Sequence, residues 1–155
     1  MSYDVFVFTI GSKHNIIVIG NNVIEIDEGS GDVITLMPRG TYKAVELATD
    51  SQKKLNDNTN LTLNYSVVYN STTKKFTILA NSTFDISWFT WYKSENGSVN
   101  KSIGTIMGFT VTADDTGAST YTSDIAITNE NSLTIEQDIA ASVSIAMNTT
   151  NPVNT

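Results

Sequence analysis

Residues 40–78, GTYKAVELATDSQKKLNDNTNLTLNYSVVYNSTTKKFTI, decide the fold, because one amphipathic helix is followed there directly by one hairpin. The helix is predicted to begin at Ala44, and its apolar side recurs at helical spacing through Leu47 and Leu55. Polar residues 56–60 end it in residue types that favour left-handed or turn conformations. This order of elements predicts a small α+β unit.

The hairpin follows from apolar and polar residues that alternate on both sides of a polar turn at residues 70–73. Its inward positions are Tyr65, Val67, Tyr69, Phe76, Ile78 and Ala80. Period-two patterns of this kind place every second side chain on the same face of a sheet. We therefore predict that one face of this hairpin is buried.

The flanking sequence predicts further short strands separated by turns. The predicted strands are Tyr3–Ile10, a hairpin with arms 16–19 and 23–27 around a turn at residues 20–22, a strand at 33–37 and a strand through 84–88. Polar loops are expected at 11–15 and 93–101, a tight turn or single helical turn at 103–109, and a hairpin-like element at 110–124.

The C-terminal segment carries two competing patterns. Thr134 with Gln137 resembles a capping box, and Ile135, Ile139, Val143 and Met147 form a helical stripe. Val143, Ile145 and Met147 also alternate as a strand would. The helix is the preferred interpretation, with a frayed end from residue 149.

Length and composition predict one domain. The chain has 155 residues, of which 40% are hydrophobic and 16% charged, and Thr, Ser and Asn are abundant. The predicted class is β-rich α+β, an antiparallel sheet or β-sandwich with one short packed helix and a second helix at the C-terminus. Residues 1–130 would form the structural domain with its N-terminal strand, and residues 131–155 an arm or helix.

The charge of the chain bears on its partners. Its net charge is -7 and its pI is near 4.4, so a nucleic-acid backbone would be repelled, and Lys74 with Lys75 make too small a basic cluster to change this. No segment approaches the length of a membrane-spanning helix, and there is no Cys for a disulfide, a thiolate or a thiolate-bound metal. We expect neither direct nucleic-acid binding nor membrane insertion.

Reactive groups are sparse in the sequence. His14 lies in a predicted polar turn with no evident nucleophile and carboxylate to complete a triad. Acidic residues at 27, 28 and 32 and at 114 and 115 fit solvated turns better than a calcium loop, whose spacing they lack. The glycines at 29 and 31 lack the Lys and helix start of a phosphate loop. We predict no catalytic residue, no metal site and no cofactor.

A dense aromatic cluster is the main candidate for a contact surface. Its members are Trp88, Phe89, Trp91 and Tyr92. These side chains could stack on a sugar ring or anchor a partner, although a strand buried against a helix would use the same residues, and the core interpretation is preferred. The change of phase after residue 88 predicts that Trp88 or Trp91 lies at an edge or interface.

The order of several short motifs carries a family resemblance. The motifs are NNVIEIDE (21–28), PRGTYKAVELATDSQKKLN (38–56), YSVVYNSTTKKFTI (65–78), FDISW (84–88), IMGF (106–109) and YTSD (121–124). This succession resembles a domain that recurs in virion structural proteins of tailed phages and other double-stranded DNA viruses. The sequence departs from that pattern at Lys43, where Thr or Ser is expected, and at Met107, where Leu is usual. The resemblance implies a non-enzymatic component of a head decoration, tail or fibre.

The apolar ends suggest how such a component would assemble. Val5, Phe6, Val7 and Phe8 before the domain, and Ile139 and Val143 after it, could contact neighbouring subunits, or could complete the sheet and core of their own chain. We expect a virion protein whose partners are copies of itself and other virion proteins. The alternative is a glycan- or receptor-binding module that uses the aromatic edge on a host-surface glycan.

Overall fold

The computed structural model describes residues 5–10, 13–88, 91–93 and 99–136, with side chains from residue 20 to 88 and from 101 to 136. Ten strands and two helices follow one another in the order β1 (Val5–Ile10), β2 (Lys13–Asp27), β3 (Asp32–Leu36), β4 (Gly40–Tyr42), α1 (Ala44–Asp57), β5 (Tyr65–Asn70), β6 (Lys75–Ser87), β7 (Trp91–Lys93), β8 (Val99–Ser102), α2 (Gly104–Met107), β9 (Asp115–Thr122) and β10 (Leu133–Ile135). The predicted β-rich α+β class is confirmed.

Two long strands, β2 and β6, organise an eight-stranded sheet. Its main path runs β5-β6-β2-β8-β7, while β1 and β3 pair with β2, and β9 pairs with β6. Every described strand pair is antiparallel except β2 with β8. A separate two-stranded sheet joins β10 to β4. Because β6 has β9 on one side and β5 on the other, these three strands form a continuous sheet segment.

The predicted helix and hairpin form the centre of the domain. Helix α1 buries Leu47 and Leu55 completely, and β5 and β6 pair in one register from Tyr65 opposite Ala80 to Asn70 opposite Lys75. The Lys43 backbone N–H donates to Glu46 Oε2 (3.0 Å), which satisfies an N–H at the start of α1 without a capping Thr or Ser. After α1, Asn58 is extended (φ -77°, ψ 107°) rather than left-handed.

The predicted helical turn at residues 103–109 is confirmed as α2. Gly108 ends it in the left-handed region (φ 84°), and a Cβ there would lie 2.3 Å from the Ile125 carbonyl oxygen, so only glycine fits. Phe109 follows and stacks on Trp88 with a centroid distance of 4.4 Å. The turn thereby delivers an aromatic side chain to the core.

The predicted turn at residues 20–22 is wrong, because β2 continues through it with a bulge against β8. Asn22 is buried, and its Nδ2 donates to the Met37 carbonyl oxygen (3.1 Å). The Asn21 side chain accepts the Glu136 N–H (2.7 Å). Each of these two side chains thus makes one hydrogen bond to backbone that is distant in sequence, while the buried Asn22 Oδ1 has no partner among the described residues. His14 lies within this strand opposite Thr9, not in a turn.

Two predicted polar segments also take part in the sheet. Strands β7 and β8 fall partly within the predicted loop at 93–101, and β8 pairs with β2. Residues 110–112 form no strand, so the predicted hairpin-like element is wrong, and β9 pairs instead with β6. In both places the partner strand is distant in sequence, and local patterns carry no signal for such pairing.

The predicted C-terminal helix does not begin at Thr134. Thr134 lies in β10 opposite Thr41 of β4, and its neighbours Leu133 and Ile135 are buried in the core. Alternating burial of this kind is typical of a strand. The predicted boundary between residues 130 and 131 therefore separates β10 from the core to which it contributes, whereas Gln137, Ile139, Val143 and Met147 lie outside the described residues.

Candidate functional site

The outer face of β5, β6 and β9 is a surface without charge that spans three strands. Two rows of side chains cross the three strands in register, and we call them together the threonine face: Ser66, Leu79 and Thr120 in one row, and Val68, Thr77 and Thr122 in the other. The hydroxyl oxygens of Thr77 and Thr122 are 2.9 Å apart. The face carries no charged side chain, and Lys75 lies just beyond it.

Strand β9 forms one edge of this face. The Ser123 N–H donates to the Phe76 carbonyl oxygen (2.8 Å), and Tyr121 lies opposite Ile78. Because backbone groups alternate between the two sides of an antiparallel strand, the N–H and C=O groups of Thr120 and Thr122 point away from β6. Both residues are exposed, and no described strand or side chain pairs with them on that side. We call this stretch the open edge.

Strand β5 forms the opposite edge, and helix α1 covers it. Asn56 Nδ2 donates to the Tyr65 carbonyl oxygen (2.8 Å), and the Tyr65 N–H donates back to Asn56 Oδ1 (2.8 Å). One helical turn earlier, Gln52 Oε1 accepts the Val67 N–H (3.1 Å). Two side chains at i and i+4 thus occupy the positions of a neighbouring strand. We call this stretch the sealed edge.

Tyr121 holds the open edge in place from beneath. Its hydroxyl donates to the Phe84 carbonyl oxygen (2.6 Å) and accepts the Ala118 N–H (2.8 Å). The Tyr121 and Phe84 rings meet edge to face at 5.1 Å. Burial, reinforced by the carboxylates of Asp85 and Asp115, raises the pKa of Tyr121, so the hydroxyl keeps its proton. These contacts join β9 to β6 beneath the open edge.

Glu28 connects the loop after β2 to the segment that leads into β5. Its carboxylate accepts the N–H groups of Thr62 (2.8 Å) and Leu63 (2.9 Å), the Thr62 hydroxyl (2.6 Å) and the Tyr65 hydroxyl (2.8 Å). Burial opposes ionisation, but the hydrogen bonds outweigh it and lower the pKa of Glu28. Burial and this same contact raise the pKa of Tyr65. The carboxylate of Glu28 therefore has a structural role, since its hydrogen bonds hold the segment before β5 in place.

Glu130 forms a second carboxylate contact, beside a groove of about 420 Å³ at the start of α1. It accepts the Tyr69 hydroxyl (2.6 Å) and the Lys74 Nζ (2.6 Å). The Lys74 and Tyr69 hydrogen bonds lower the pKa of Glu130, while burial and Glu130 raise the pKa of Tyr69 to about 12. Both oxygens of Glu130 are used to join the loop after β9 to the hairpin. Each Glu130 oxygen beside the groove is therefore already hydrogen-bonded.

The other predicted acidic sites also contact backbone. Asp27 Oδ1 accepts the N–H groups of Gly29 (2.7 Å) and Gly31 (2.9 Å). Asp114 Oδ1 accepts the Trp88 N–H (2.9 Å). Among the side chains described, no three His, Cys, Asp or Glu residues are grouped to hold a metal ion. These carboxylates order loops in the way expected of solvated turns.

Trp88 belongs to the core rather than to a contact surface. It is 2% exposed, and its indole N–H donates to Asp115 Oδ2 (2.8 Å). For Trp88 the preferred core interpretation therefore holds and the contact alternative does not, because neither ring face is available to a sugar or a partner. Trp91 and Tyr92 lie in β7, which pairs with β8 at the end of the described strand order. Phe89 lies outside the described residues.

The remaining predicted contact residues lie near the chain ends. The backbone of Val5, Phe6, Val7 and Phe8 forms β1, which pairs with β2 of the same chain from Val5 opposite Val18 to Ile10 opposite Lys13. The N-terminal strand thus completes its own sheet, and contacts of these side chains with other subunits stay a prediction. Ile139 and Val143 lie outside the described residues.

The open edge was not predicted from the sequence. A weak signal for it exists, since residues 116–123, TGASTYTS, contain no charge and no proline, the residues that commonly protect edge strands. The alternation of Thr120, Tyr121 and Thr122 predicts a strand with one polar, solvent-facing side and one buried side. That its far side lacks a partner depends on the pairing of β9 with β6, which only the tertiary structure specifies.

Comparison with known proteins yields no assignment: no family model matches the chain, and no curated protein matches it. Across the described segments, neither helix has the length and apolar character needed to cross a bilayer. The open edge and the threonine face are therefore the features from which function is argued.

Proposed function

We propose that this chain is a non-enzymatic structural protein of a virus particle, and that it acts through contacts with copies of itself and with other virion proteins. The resemblance of residues 21–124 to virion structural domains supports its location in the particle. The open edge of β9 supports a role in assembly, and it is the observation that carries the proposal. An unpaired strand edge offers backbone hydrogen bonds to an added strand.

The two edges of this sheet segment differ in whether they can accept a strand. At the sealed edge, Asn56 bonds to both outward groups of Tyr65 and Gln52 bonds to the Val67 N–H, so these groups are not available to an added strand. At the open edge no described group does this, and the Tyr121 hydroxyl anchors the strand to the Phe84 carbonyl oxygen. Within this three-stranded segment only the β9 edge can therefore accept an added strand, and a single such edge gives a defined partner geometry.

The engaged carboxylates also support a structural role. Glu28, Glu130, Asp27 and Asp114 each accept hydrogen bonds that hold a loop or a turn against the sheet. A carboxylate that acts as a general base or binds a metal must keep an oxygen directed at its substrate or ion. In Glu28 and Glu130 both oxygens are instead engaged in contacts that hold loops in place.

The direct test is peptide mass mapping of purified particles of the virus whose genome encodes this chain. We expect peptides from residues 21–124 in amounts comparable to those of known particle proteins, and retained after a high-salt wash. Absence from washed particles would contradict the proposal. So would substrate turnover by the purified chain that is lost when one of its carboxylates is replaced.

A further inference from the structure

Resting on the proposed function, we infer that two copies of this chain pair through their open edges, with β9 of one copy antiparallel to β9 of the other and a twofold axis through Tyr121. The outward backbone groups of β9 select this register. Thr120 and Thr122 present them, whereas the Ala118 N–H is already donated to the Tyr121 hydroxyl. Symmetry about Tyr121 places Thr120 of each copy opposite Thr122 of the other.

This register satisfies every outward group of the two threonines. Directly opposed residues in an antiparallel pair exchange two backbone hydrogen bonds, so the two Thr120–Thr122 pairs would form four. The side chains of these residues are β-branched and lie side by side across the new junction, an arrangement that stabilises antiparallel strands. The threonine face would continue from one copy into the next as a six-stranded surface.

The charge distribution limits where a second copy can approach, and the open edge is a stretch without like-charge repulsion. Each chain carries a net charge of -7, so two copies repel each other over most of their surfaces. Residues 116–123 carry no charge, and in the inferred register Asp115 and Asp124 face no carboxylate of the other copy, because they lie opposite Ile127 and Ala118. The open edge therefore combines self-complementary backbone groups with the absence of like-charge contact.

The contact is small. A ladder of two residues per copy falls well below the roughly 1,200 Å² that stable interfaces bury. We therefore expect a weak dimer in solution, populated as the concentration rises toward about 1 mM, the weak end of specific binding. Within a particle, many neighbouring contacts would hold the copies together at high effective concentration.

Amide hydrogen exchange measured by NMR at low and high protein concentration tests the register. We expect the Thr120 and Thr122 amides to exchange more slowly at high concentration, in proportion to the dimer fraction measured by sedimentation. The Tyr121 and Ser123 amides, which face β6, should be protected equally at both concentrations and serve as internal controls. Concentration-independent exchange of Thr120 and Thr122 would overturn the inference.

A pair of matched variants tests whether the edge itself matters. T122K and V68K add the same charge in the same cross-strand row, one at the open edge and one on the strand of the sealed edge. We expect T122K to abolish dimerisation and V68K to leave it unchanged, although both lower the net negative charge. Equal effects of the two variants, or none, would overturn the inference. Protected Tyr121 and Ser123 amides show that β9 stays folded.

The outcomes also separate this inference from the proposed function. If the chain dimerises through Thr120 and Thr122 but is missing from purified particles, the proposed function is contradicted and the inferred dimer is supported. A chain present in particles whose T122K variant dimerises normally contradicts the dimer alone. Protection of Thr120 and Thr122 only after another virion protein is added would assign the open edge to that partner and overturn self-pairing.

Discussion

Two edges of one three-stranded sheet segment are treated differently in this protein. At β5, the helix side chains Gln52 and Asn56 take the place of a neighbouring strand, while at β9 the outward groups of Thr120 and Thr122 meet no described partner. The difference arises because α1 precedes β5 directly and lies along it. An edge strand is therefore protected here by its position in the chain as well as by its composition.

The largest expected effect comes from loosening the helix that covers β5. L47A removes a fully buried side chain and should lower the free energy of unfolding by about 2–5 kcal/mol. V45A is the matched control, because Val45 is on the same helix but 60% exposed, and it should be nearly neutral. Chemical denaturation measures both. Similar small losses at the two sites would mean that α1 is not docked on the sheet.

A smaller effect is expected when the sealed edge is opened without moving the helix. N56A leaves the Tyr65 N–H and C=O without their side-chain partner and should cost about 1–3 kcal/mol. The Tyr65 amide should also exchange faster with solvent. N60A, at an exposed position just beyond the helix, is the control. Unchanged exchange at Tyr65 would contradict the role given to Asn56.

Glu28, which anchors the approach to β5, should make stability depend on pH. Its pKa is lowered from 4.5 in the folded protein, so its ionised form stabilises the fold above about pH 4.5. This contribution disappears as the pH falls through the lower folded value. E28Q should cost about 1 kcal/mol at neutral pH, since its contacts are partly solvated.

The acid limb of the E28Q stability curve should be flatter than that of the wild-type protein. D50N, which replaces an exposed carboxylate of α1, is the control. Denaturant unfolding between pH 3 and pH 7 would measure both curves. An acid limb of E28Q parallel to that of the wild type would show that Glu28 is not the titrating group.

The smallest effect is expected from a variant that distinguishes the contribution of the Thr122 hydroxyl from that of the Thr122 backbone. T122V removes the hydroxyl that lies 2.9 Å from that of Thr77 but keeps the β-branched shape and the outward N–H. Stability should change by no more than about 0.5 kcal/mol, and dimerisation should persist. Sedimentation of T122V beside T122K makes the comparison. Loss of dimerisation in T122V would mean that the hydroxyl, not the backbone, makes the contact.

Local patterns predicted the parts of the fold whose signals are contained within them. The spacing of Leu47 and Leu55 predicted α1, and alternation around residues 70–73 predicted the β5–β6 hairpin, because each face packs on a neighbour close in sequence. The turn predicted at residues 20–22 failed because Asn21 and Asn22 bond to backbone at residues 136 and 37. Asn residues favour turns in local patterns, but here hydrogen bonds to distant backbone hold them in a strand.

The candidate site also has one part that was visible in the sequence and one part that depends on the tertiary structure. The aromatic cluster was visible in the sequence, but Trp88 is buried against Phe109 and is not on the surface. Pattern alone does not distinguish a core aromatic side chain from an exposed one. The open edge was missed because an edge is defined by the absence of a second neighbour. That property belongs to the strand order and not to any stretch of residues.

The sequence by itself determined the class of this protein: a β-rich α+β domain with one packed helix, a central hairpin, a negative net charge and no cysteine. These properties depend on composition and on periods of two and 3.6 residues, which act over a few neighbours. Tertiary structure alone decided which strands meet, that β10 joins the core, and that β9 is left open while β5 is sealed. Strand pairing joins residues far apart in sequence, so it is settled by packing of the whole chain.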